Sequence, residues 1–357
     1  MKNSPWMLVA CLSFALAFSG CKNTPNTTAE AFPPPPTAKS TEIAVELPVI
    51  PIPLDGPASK QQAEISSMDW YGDWLVLMPQ YPARFKNDLS SASVFAISKQ
   101  EILDFVDGHT DQLLRPREIP FWDGDTNKTL DGFEGYEAIV FVGQEVFLTI
   151  ETSPGKGMLG YLIKGTVTGN LQDIQLDPQK IVEIQPQADI GNFSDETLVV
   201  ADGVLVTAYE ANGANVNPHP QAHRFELDLE TLAAISFPTL EYRVTDATSV
   251  DAAGNFWVIN YFWSGDEKKL DPARDELIAT YGQGPTHARF GNVERLVELH
   301  YSPEGITLTQ TPPIQLELIE SDARNWEGIV RLDDQGFLLV TDTHPETMLA
   351  FVPMPAP

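Results

Sequence analysis

One short pattern occurs five times in this chain. Each copy opens with an acidic residue, continues through a few residues of β-type alternation, turns at a glycine and ends in a strongly apolar run. Two such runs joined by a glycine turn predict a β-hairpin. The copies are EISSMDWYGDWLVLM from Glu64, EAIVFVGQEVFLTIE from Glu137, ETLVVADGVLVTAYE from Glu196, DATSVDAAGNFWVIN from Asp246 and EGIVRLDDQGFLLVTD from Glu327.

The spacing of these hairpins leaves room for further strands. The copies begin 50 to 81 residues apart, and apolar runs such as SASVFAIS, HRFELDL and VERLVELHY follow most of them. Stretches with helical periodicity are hard to find, so we expect an all-β protein. Units of about fifty residues with four strands each are typical of a β-propeller. The sequence predicts five four-stranded blades, or six if the longer intervals hide one; a sandwich or a solenoid is the alternative.

A propeller ring needs a closing contact, because an unpaired outer strand is an exposed edge. The segment EIAVELPVI, from Glu42 to Ile50, has the β-type pattern of a closing strand. We expect this segment, or the region of Ala63, to pair beside MLAFVP near the C-terminus.

The N-terminal region predicts an export signal. A basic start precedes an apolar run from Trp6 to Phe18, and FSGC at 18–21 resembles a bacterial lipobox, in which Cys21 receives lipid. We predict a lipoprotein signal peptide at 1–20, a lipidated Cys21 with a Pro- and Thr-rich tether to residue 57, and a propeller domain at 58–357. A plain signal peptide and an uncleaved anchor are the alternatives.

Charge and lipidation define the expected partners. The chain has 22 basic and 50 acidic residues and a net charge of -28, so we expect no nucleic-acid binding, which requires clustered Lys and Arg. The lipid on Cys21 predicts a membrane anchor. Lys22 follows it instead of the Asp that retains lipoproteins in the inner membrane, so the sequence predicts an exported protein on the outer membrane that faces the periplasm.

The acids that open the repeats are candidate metal ligands. The first strand of each blade lines the channel of a propeller, so four of these acids would converge there: Glu137, Glu196, Asp246 and Glu327. Converging carboxylates repel each other unless they are protonated or bridged by a cation, and oxygen ligands suit calcium. Arg243 and Arg324 each stand three residues before an acid. Structural ion pairs and a pocket for an anion are therefore the alternatives.

A second candidate calcium site lies in WDGDTNKTLDGFE. Its oxygen-bearing side chains match an EF-hand-type loop, although Lys128 stands where glycine is usual. An Asx-rich turn between blades is the alternative. The candidate ligands are Asp123, Asp125, Asn127, Thr129, Asp131 and Glu134.

Two histidines and an aromatic run are candidates for chemistry at the channel mouth. His287 lies in a long insertion and His344 follows the last hairpin, so either is a candidate proton carrier. In FWVINYFW, we expect Asn260, Tyr261 or Trp263 to form a platform for a ligand, since they stand where the strand leaves its hairpin.

Two repeat segments carry a family resemblance. NWEGIVRLDDQGFLLVTDTHP and TDATSVDAAGNFWVINYFW resemble the repeats of phytase-like propeller domains, also described as esterase-like, and of the SdiA-regulated propellers of exported bacterial proteins. EGI at Glu327 and DATSVDAAGNFWV at Asp246 are similar to motifs of the gluconolactonase and paraoxonase group, where an acid holds calcium. The resemblance implies a propeller, calcium held by Glu327 and Asp246, and hydrolysis of an ester, phosphoester or lactone.

Two hypotheses of function follow, and the sequence leaves open whether the protein is an enzyme. In the first, calcium in the acidic channel polarises a carbonyl or phosphoryl oxygen and positions water, so that a small ester or phosphoester is hydrolysed. In the second, a non-catalytic lipoprotein uses the propeller as a scaffold that binds a small molecule or a protein.

Overall fold

A computed structural model describes residues 44–86, 92–155, 157–319, 323–344 and 346–355. They belong to one compact unit, Thr41–Pro357. The signal peptide, Cys21 and the first part of the tether lie outside the described residues, so lipidation and location stay predictions. Among the residues described, no helix is long and apolar enough to cross a membrane.

Strands dominate the described chain, and most of them form four-stranded blades. Two short strands come first: β1 (Glu46–Leu47) and β2 (Ile50–Ile52). Blade 1 contains β3 (Ile65–Tyr71), β4 (Trp74–Pro79), β5 (Ala92–Ser98) and β6 (Arg117–Trp122). Blade 2 contains β7 (Phe133–Val142), β8 (Glu145–Thr152), β9 (Leu159–Thr168) and β10 (Asp173–Ile184). Blade 3 contains β11 (Asp195–Ala201), β12 (Val204–Tyr209), β13 (Gln221–Phe225) and β14 (Thr231–Ser236).

The last two blades complete the set. Blade 4 contains β15 (Arg243–Ala247), β16 (Asn255–Phe262), β17 (Val293–Ser302) and β18 (Gly305–Leu308). After β19 (Ile314–Leu316), blade 5 contains β20 (Trp326–Leu332), β21 (Gly336–Thr341) and β22 (Leu349–Pro353). Its fourth strand is β2, which pairs antiparallel with β22. Strand β1 lies parallel to β19.

The first strands of the blades form a closed ring. Strand β3 contacts β7, β7 contacts β11, β11 contacts β15, β15 contacts β20, and β20 contacts β3. The prediction of an all-β propeller is confirmed, with five blades. The closing strand β2 begins at Ile50, the last residue of the segment predicted to close the ring, while β1, earlier in that segment, pairs with β19 instead. Residues of the predicted tether thus contribute strands to the propeller.

Apolar packing between neighbouring blades holds the ring together. Within each blade, strands near the axis are buried on both faces, which explains their nearly continuous apolar runs. Five core clusters lie between successive blades. Examples are Leu148 with Val94 between blades 2 and 1, and Leu339 with Ile259 between blades 5 and 4. Removing several methylenes from such a core costs about 2–5 kcal/mol.

Turn chemistry and helix caps follow local sequence rules. Asp202 and Gly203 have φ values of 51° and 80° in the turn between β11 and β12, as a type I′ hairpin turn requires. Helix α1 (Lys99–Val106) begins with a capping box between Ser98 and Glu101. The other helices are α2 (Thr126–Thr129), α3 (Glu267–Leu270), α4 (Glu276–Tyr281) and α5 (Pro285–Phe290), with 3-10 turns at Pro57–Ser59, Gln61–Ala63, Pro82–Arg84 and Ser264–Asp266.

The closing strand β2 gives a direct test of ring closure. Ile52 is 2% exposed in the core between blades 5 and 1, so Ile52→Ala should lower the free energy of unfolding by about 2–5 kcal/mol. Ile50 is 43% exposed on the same strand, and Ile50→Ala should change it by less than about 1 kcal/mol. Urea unfolding of both variants measures the difference. Equal effects would mean that β2 does not close the ring.

Candidate functional site

Bulges in the first strands place three glutamates near the axis. The register of the inner hairpins shifts between Tyr136 and Ala138, between Asp195 and Thr197, and between Trp326 and Gly328. The residue within each shift is an acid, and a bulge redirects its side chain. These residues are Glu137, Glu196 and Glu327, which are 7%, 7% and 9% exposed.

Two further glutamates join them from the second strands. Glu151 lies near the end of β8 and Glu210 directly follows β12, and both are buried. The charges of these five side chains act on one another. We call them the glutamate cluster: Glu137, Glu151, Glu196, Glu210 and Glu327.

The sequence analysis missed Glu151 and Glu210, although a signal for them exists. Two of the repeat copies end in an acid as well as begin with one, and these acids are Glu151 and Glu210. A third copy ends in Asp342. Because the two ends of a hairpin meet, the closing acid of each copy lies beside its opening acid.

Loss of water around the cluster makes its side chains hold protons. Desolvation raises the pKa of Glu151 to about 7 and that of Glu210 to about 8. Desolvation, followed by repulsion from neighbouring carboxyls, raises the pKa values of Glu137, Glu196 and Glu327 well above their usual range. For Glu327 the nearby Arg243 opposes this rise. Several carboxyls of the cluster are therefore protonated at neutral pH.

Arg243, at the start of β15, is the cation beside this cluster. Its Nη1 lies 2.7 Å from Glu210 Oε1, and its Nε donates to Asp266 Oδ2 at 2.9 Å. The guanidinium also lies 4.5 Å from the ring centroid of Phe193. Arg243 therefore supplies positive charge beside the cluster.

A pocket opens next to Arg243. Its volume is about 400 Å³. It is lined by polar and aromatic side chains, which belong to loops at the start of blades 3 and 5, to the ends of strands in blade 4 and to the segment of α3. We call it the mouth pocket: Asn192, Arg243, Tyr261, Trp263, Asp266, Lys269, Ala323, Asn325 and His344.

Asp342 connects this pocket to the cluster. It follows β21, and desolvation raises its pKa to about 6. Its Oδ2 accepts a hydrogen bond from Asn325 Nδ2 at 3.2 Å, and the Asn325 amide oxygen accepts one from the Tyr261 hydroxyl at 2.5 Å. Its Oδ1 is buried and has no hydrogen-bond partner among the described residues. The charge of Asp342 acts on Glu327.

The structure does not bring Asp246 to the cluster. Its Oδ2 accepts hydrogen bonds from Ile329 N at 2.9 Å and from Ser67 Oγ at 3.4 Å. The equivalent of the opening acid in β15 is Thr245, whose hydroxyl donates to Trp326 O. Asp246 therefore stands one position further along the strand and ties three inner strands together. Its predicted role as a calcium ligand has no support from this placement.

The predicted calcium loop contains a short helix. Asp123 Oδ1 accepts from Asp125 N at 3.1 Å, as in an Asx turn, and the Asp125 carboxylate receives Lys128 Nζ. Asp131 is exposed, and Asn127 lies inside α2. The structure does not gather the six candidate ligands around one point. Within the described residues no group of three or more His, Cys, Asp or Glu side chains is arranged to hold a metal ion.

The two candidate histidines lie in different surroundings. His344 lines the mouth pocket. His287 is buried in α5, where its Nδ1 lies 2.7 Å from Glu46 Oε1 and its Nε2 lies 3.0 Å from Glu294 O. Both ring nitrogens of His287 are thus engaged away from the pocket. Arg324 is paired with Glu294 at 2.8 Å.

No family model matches this sequence, and no curated protein matches it. Solved structures with a similar course of the chain include a protein of the GH130 family of mannoside phosphorylases, described as containing glycoside hydrolases that target β-1,2 mannosidic linkages in Candida mannan. It is 11% identical, covers 94% of this chain and 98% of its own, and has a TM-score of 0.48.

Two further structures give comparable values. A putative glycoside hydrolase from Parabacteroides distasonis is 9% identical over 90% of this chain and 96% of its own, with a TM-score of 0.45. A glucose dehydrogenase is 12% identical over 84% of this chain and 99% of its own, with a TM-score of 0.43. These values assign no reaction to the present chain. The resemblance to phytase-like propellers is not confirmed as a family.

The raised pKa values predict how stability depends on pH. Carboxyls whose pKa is higher in the folded protein stabilise it fully below their unfolded pKa, near 4.5, and this contribution disappears as the pH rises through the folded value. A folded pKa that is higher than the unfolded pKa by one corresponds to about 1.4 kcal/mol of stability. The melting temperature should therefore fall between about pH 5 and about pH 8.

Glu151→Gln should flatten this fall, because it removes one carboxyl that titrates at about 7. Glu304→Gln, at an exposed turn, is the control and should leave the slope unchanged. Differential scanning calorimetry across this pH range measures both. An unchanged slope in the Glu151 variant would contradict the assignment of a buried, protonated carboxyl.

The predicted calcium sites are tested separately. If either predicted site binds calcium, full-length protein treated with EDTA should gain about 2.7 kcal/mol of stability at a calcium concentration one hundred times the Kd, and nothing from magnesium. Loss of the gain in Asp125→Asn would locate the ion in the loop, and loss in Glu327→Gln would locate it in the cluster. No rise at millimolar calcium would contradict both sites.

Proposed function

We propose that this protein is a hydrolase that binds a small carbohydrate in the mouth pocket and cleaves a glycosidic bond with the carboxyls beside it. One observation carries the proposal: an open polar pocket adjoins buried carboxyls whose pKa values are raised to between about 6 and about 8. Glycosidic bonds are cleaved by pairs of carboxyl groups, one of which must carry a proton at the working pH.

The pocket has the size and lining expected for a sugar. Its volume of about 400 Å³ falls within the range of small-molecule sites. Trp263 is 47% exposed and offers a flat apolar face against which a sugar ring can pack. Asn192 and Asn325 add amide groups, which both donate and accept hydrogen bonds.

Glu327 and Asp342 are the pair best suited to the chemistry. Glu327 holds a proton because it is buried, and it donates that proton to the glycosidic oxygen as the bond to the anomeric carbon breaks. Asp342 is ionised above about pH 6, and its unpartnered Oδ1 accepts a proton from the water that attacks the anomeric carbon. The products are the free sugar and the released alcohol, and the two carboxyls exchange roles as proton carriers.

Arg243 and Asn325 position this pair. The guanidinium of Arg243 favours the ionised forms of nearby carboxyls. It therefore lowers the pKa of Glu327, which desolvation raises. The hydrogen bond from Asn325 fixes one oxygen of Asp342 and leaves the other free. No step requires calcium.

The competing proposal is a binding protein without turnover. A binding protein would use the same pocket but would have no use for the protonated carboxyls. For this reason we favour the enzyme. We retain the proposal that the protein is exported and anchored through lipid on Cys21. The periplasm would then supply the substrate.

Turnover of chromogenic glycosides tests the enzyme directly. Full-length protein should hydrolyse at least one member of a panel of nitrophenyl glycosides, and Glu327→Gln should lower kcat by about 10²–10⁴-fold because it removes the general acid. Nitrophenyl esters and phosphoesters, assayed with calcium and with EDTA, form the second arm of the panel.

The control is Asp246→Asn, which keeps an oxygen to accept the Ile329 N–H and lies outside the cluster. It should retain kcat, with at most a lower melting temperature. Full activity in Glu327→Gln, or equal losses in both variants, would contradict the assigned roles. An inert wild-type protein across all glycosides would favour the binding protein, and calcium-dependent ester cleavage would restore the first hypothesis from the sequence.

A further inference from the structure

The mouth pocket contains an unusual concentration of positive charge for this protein. The chain as a whole carries a net charge of -28, yet Arg243 and Lys269 both line one pocket, together with the imidazole of His344. The one carboxylate in the lining, Asp266, is paired with Arg243 at 2.9 Å. The lining is therefore locally cationic within an acidic protein.

Lys269 supplies the second positive charge of the lining, and this charge also acts on Glu151, whose pKa it lowers. Arg243 is shared between Glu210 and Asp266 and brings no free charge. Lys269 has no ion pair with a described residue, and its Nζ lies 5.5 Å from the ring centroid of Phe193. Its neighbour Lys268 stands on the same helix but does not line the pocket. The two lysines thus have the same side chain, but only Lys269 lines the pocket.

The indole of Trp263, an aromatic side chain of the pocket lining, packs against the backbone at Gly265. A side chain at Gly265 would clash with the ring of Trp263, so the indole lies directly on the chain at Gly265. Such contact fixes the ring while 47% of Trp263 remains exposed. A ring that stacks on Trp263 would stand within the same lining as Lys269 and His344.

We infer that the substrate carries an anionic group, a carboxylate or a phosphate on a sugar, which Lys269 binds by its charge and His344 by a ring N–H, while Trp263 stacks on the sugar ring. This inference rests on the proposed function and names its substrate class. A local cation is needed because the rest of the surface repels anions. A charge-assisted hydrogen bond then distinguishes the acidic sugar from its neutral parent.

Matched pairs of sugars test the inference. Isothermal titration of full-length protein with glucose, glucuronate and glucose 6-phosphate, and with the galactose and mannose series, compares neutral and anionic forms of one ring. An acidic form should bind about tenfold or more tightly than its parent. Whether the uronate or the phosphate is preferred identifies the anionic group.

The two lysines provide the variant and its control. Lys269→Met should abolish the preference for the acidic form. Lys268→Met should keep the preference, because its side chain does not line the pocket. The preference should also shrink at high salt, as expected for a charge partly exposed to solvent.

The outcomes separate this inference from the proposed function. Equal binding of neutral and acidic sugars, or equal effects of the two lysine variants, would overturn the anionic substrate and leave a carbohydrate hydrolase standing. Absence of binding by every sugar would overturn both. A preference that survives Lys269→Met would remove Lys269 from recognition and contradict the inference as stated.

Discussion

Apolar packing holds the blades together, but at the axis the ring depends on polar side chains that bridge neighbouring inner strands. The first strands of successive blades contact each other without a continuous hydrogen-bond ladder, so side chains must satisfy their buried groups. Ser67 Oγ accepts from Ile139 N, and the Asp69 carboxylate accepts from Phe141 N at 3.0 Å, which joins blade 1 to blade 2. Asp246 joins blade 4 to blade 5. Ser67 and Asp246 are buried and Asp69 is half-buried, and desolvation raises the pKa of Asp69 to about 7.

The glutamate cluster follows from the same crowding. Bulges that terminate the inner hairpins direct acids toward an axis where water is scarce. Mutual repulsion leaves three ways to keep them there: protonation, pairing with arginine or binding of a metal. Arg243 pairs with Glu210, and desolvation favours protonated carboxyls around it. Carboxyls that are protonated near neutral pH are suited to acid–base chemistry.

The repeat predicted the architecture but could not fix the position of every acid. Opening acid, glycine turn and apolar strand recur because each blade packs in the same way, so the architecture and the positions of the hairpins could be inferred, while five or six blades and two closing segments stayed open. Asp246 shows the limit. In the repeat it matches Glu327, but a shift of one residue on a strand turns a side chain to the other face. The hydrogen bond from Thr245 to Trp326 O shows that Thr245 is the equivalent residue. His287 could not be placed either, because its partner Glu46 stands 241 positions away.

The asymmetry of the propeller explains where its function lies. A ring of five similar blades offers five similar sites, but only blade 4 carries a long insertion between β16 and β17, and α3 within it brings Lys269 to the pocket while the end of β16 brings Tyr261. Blade 5 supplies Asn325, Asp342 and His344 at its loops. The repeated part of the sequence therefore builds the protonated cluster, and the unrepeated part builds the pocket that gives the cluster a substrate. This division explains why the repeats pointed to Glu137, Glu196 and Glu327 but not to Lys269: Lys269 matches no repeat, and its significance depends on neighbours that come from three blades.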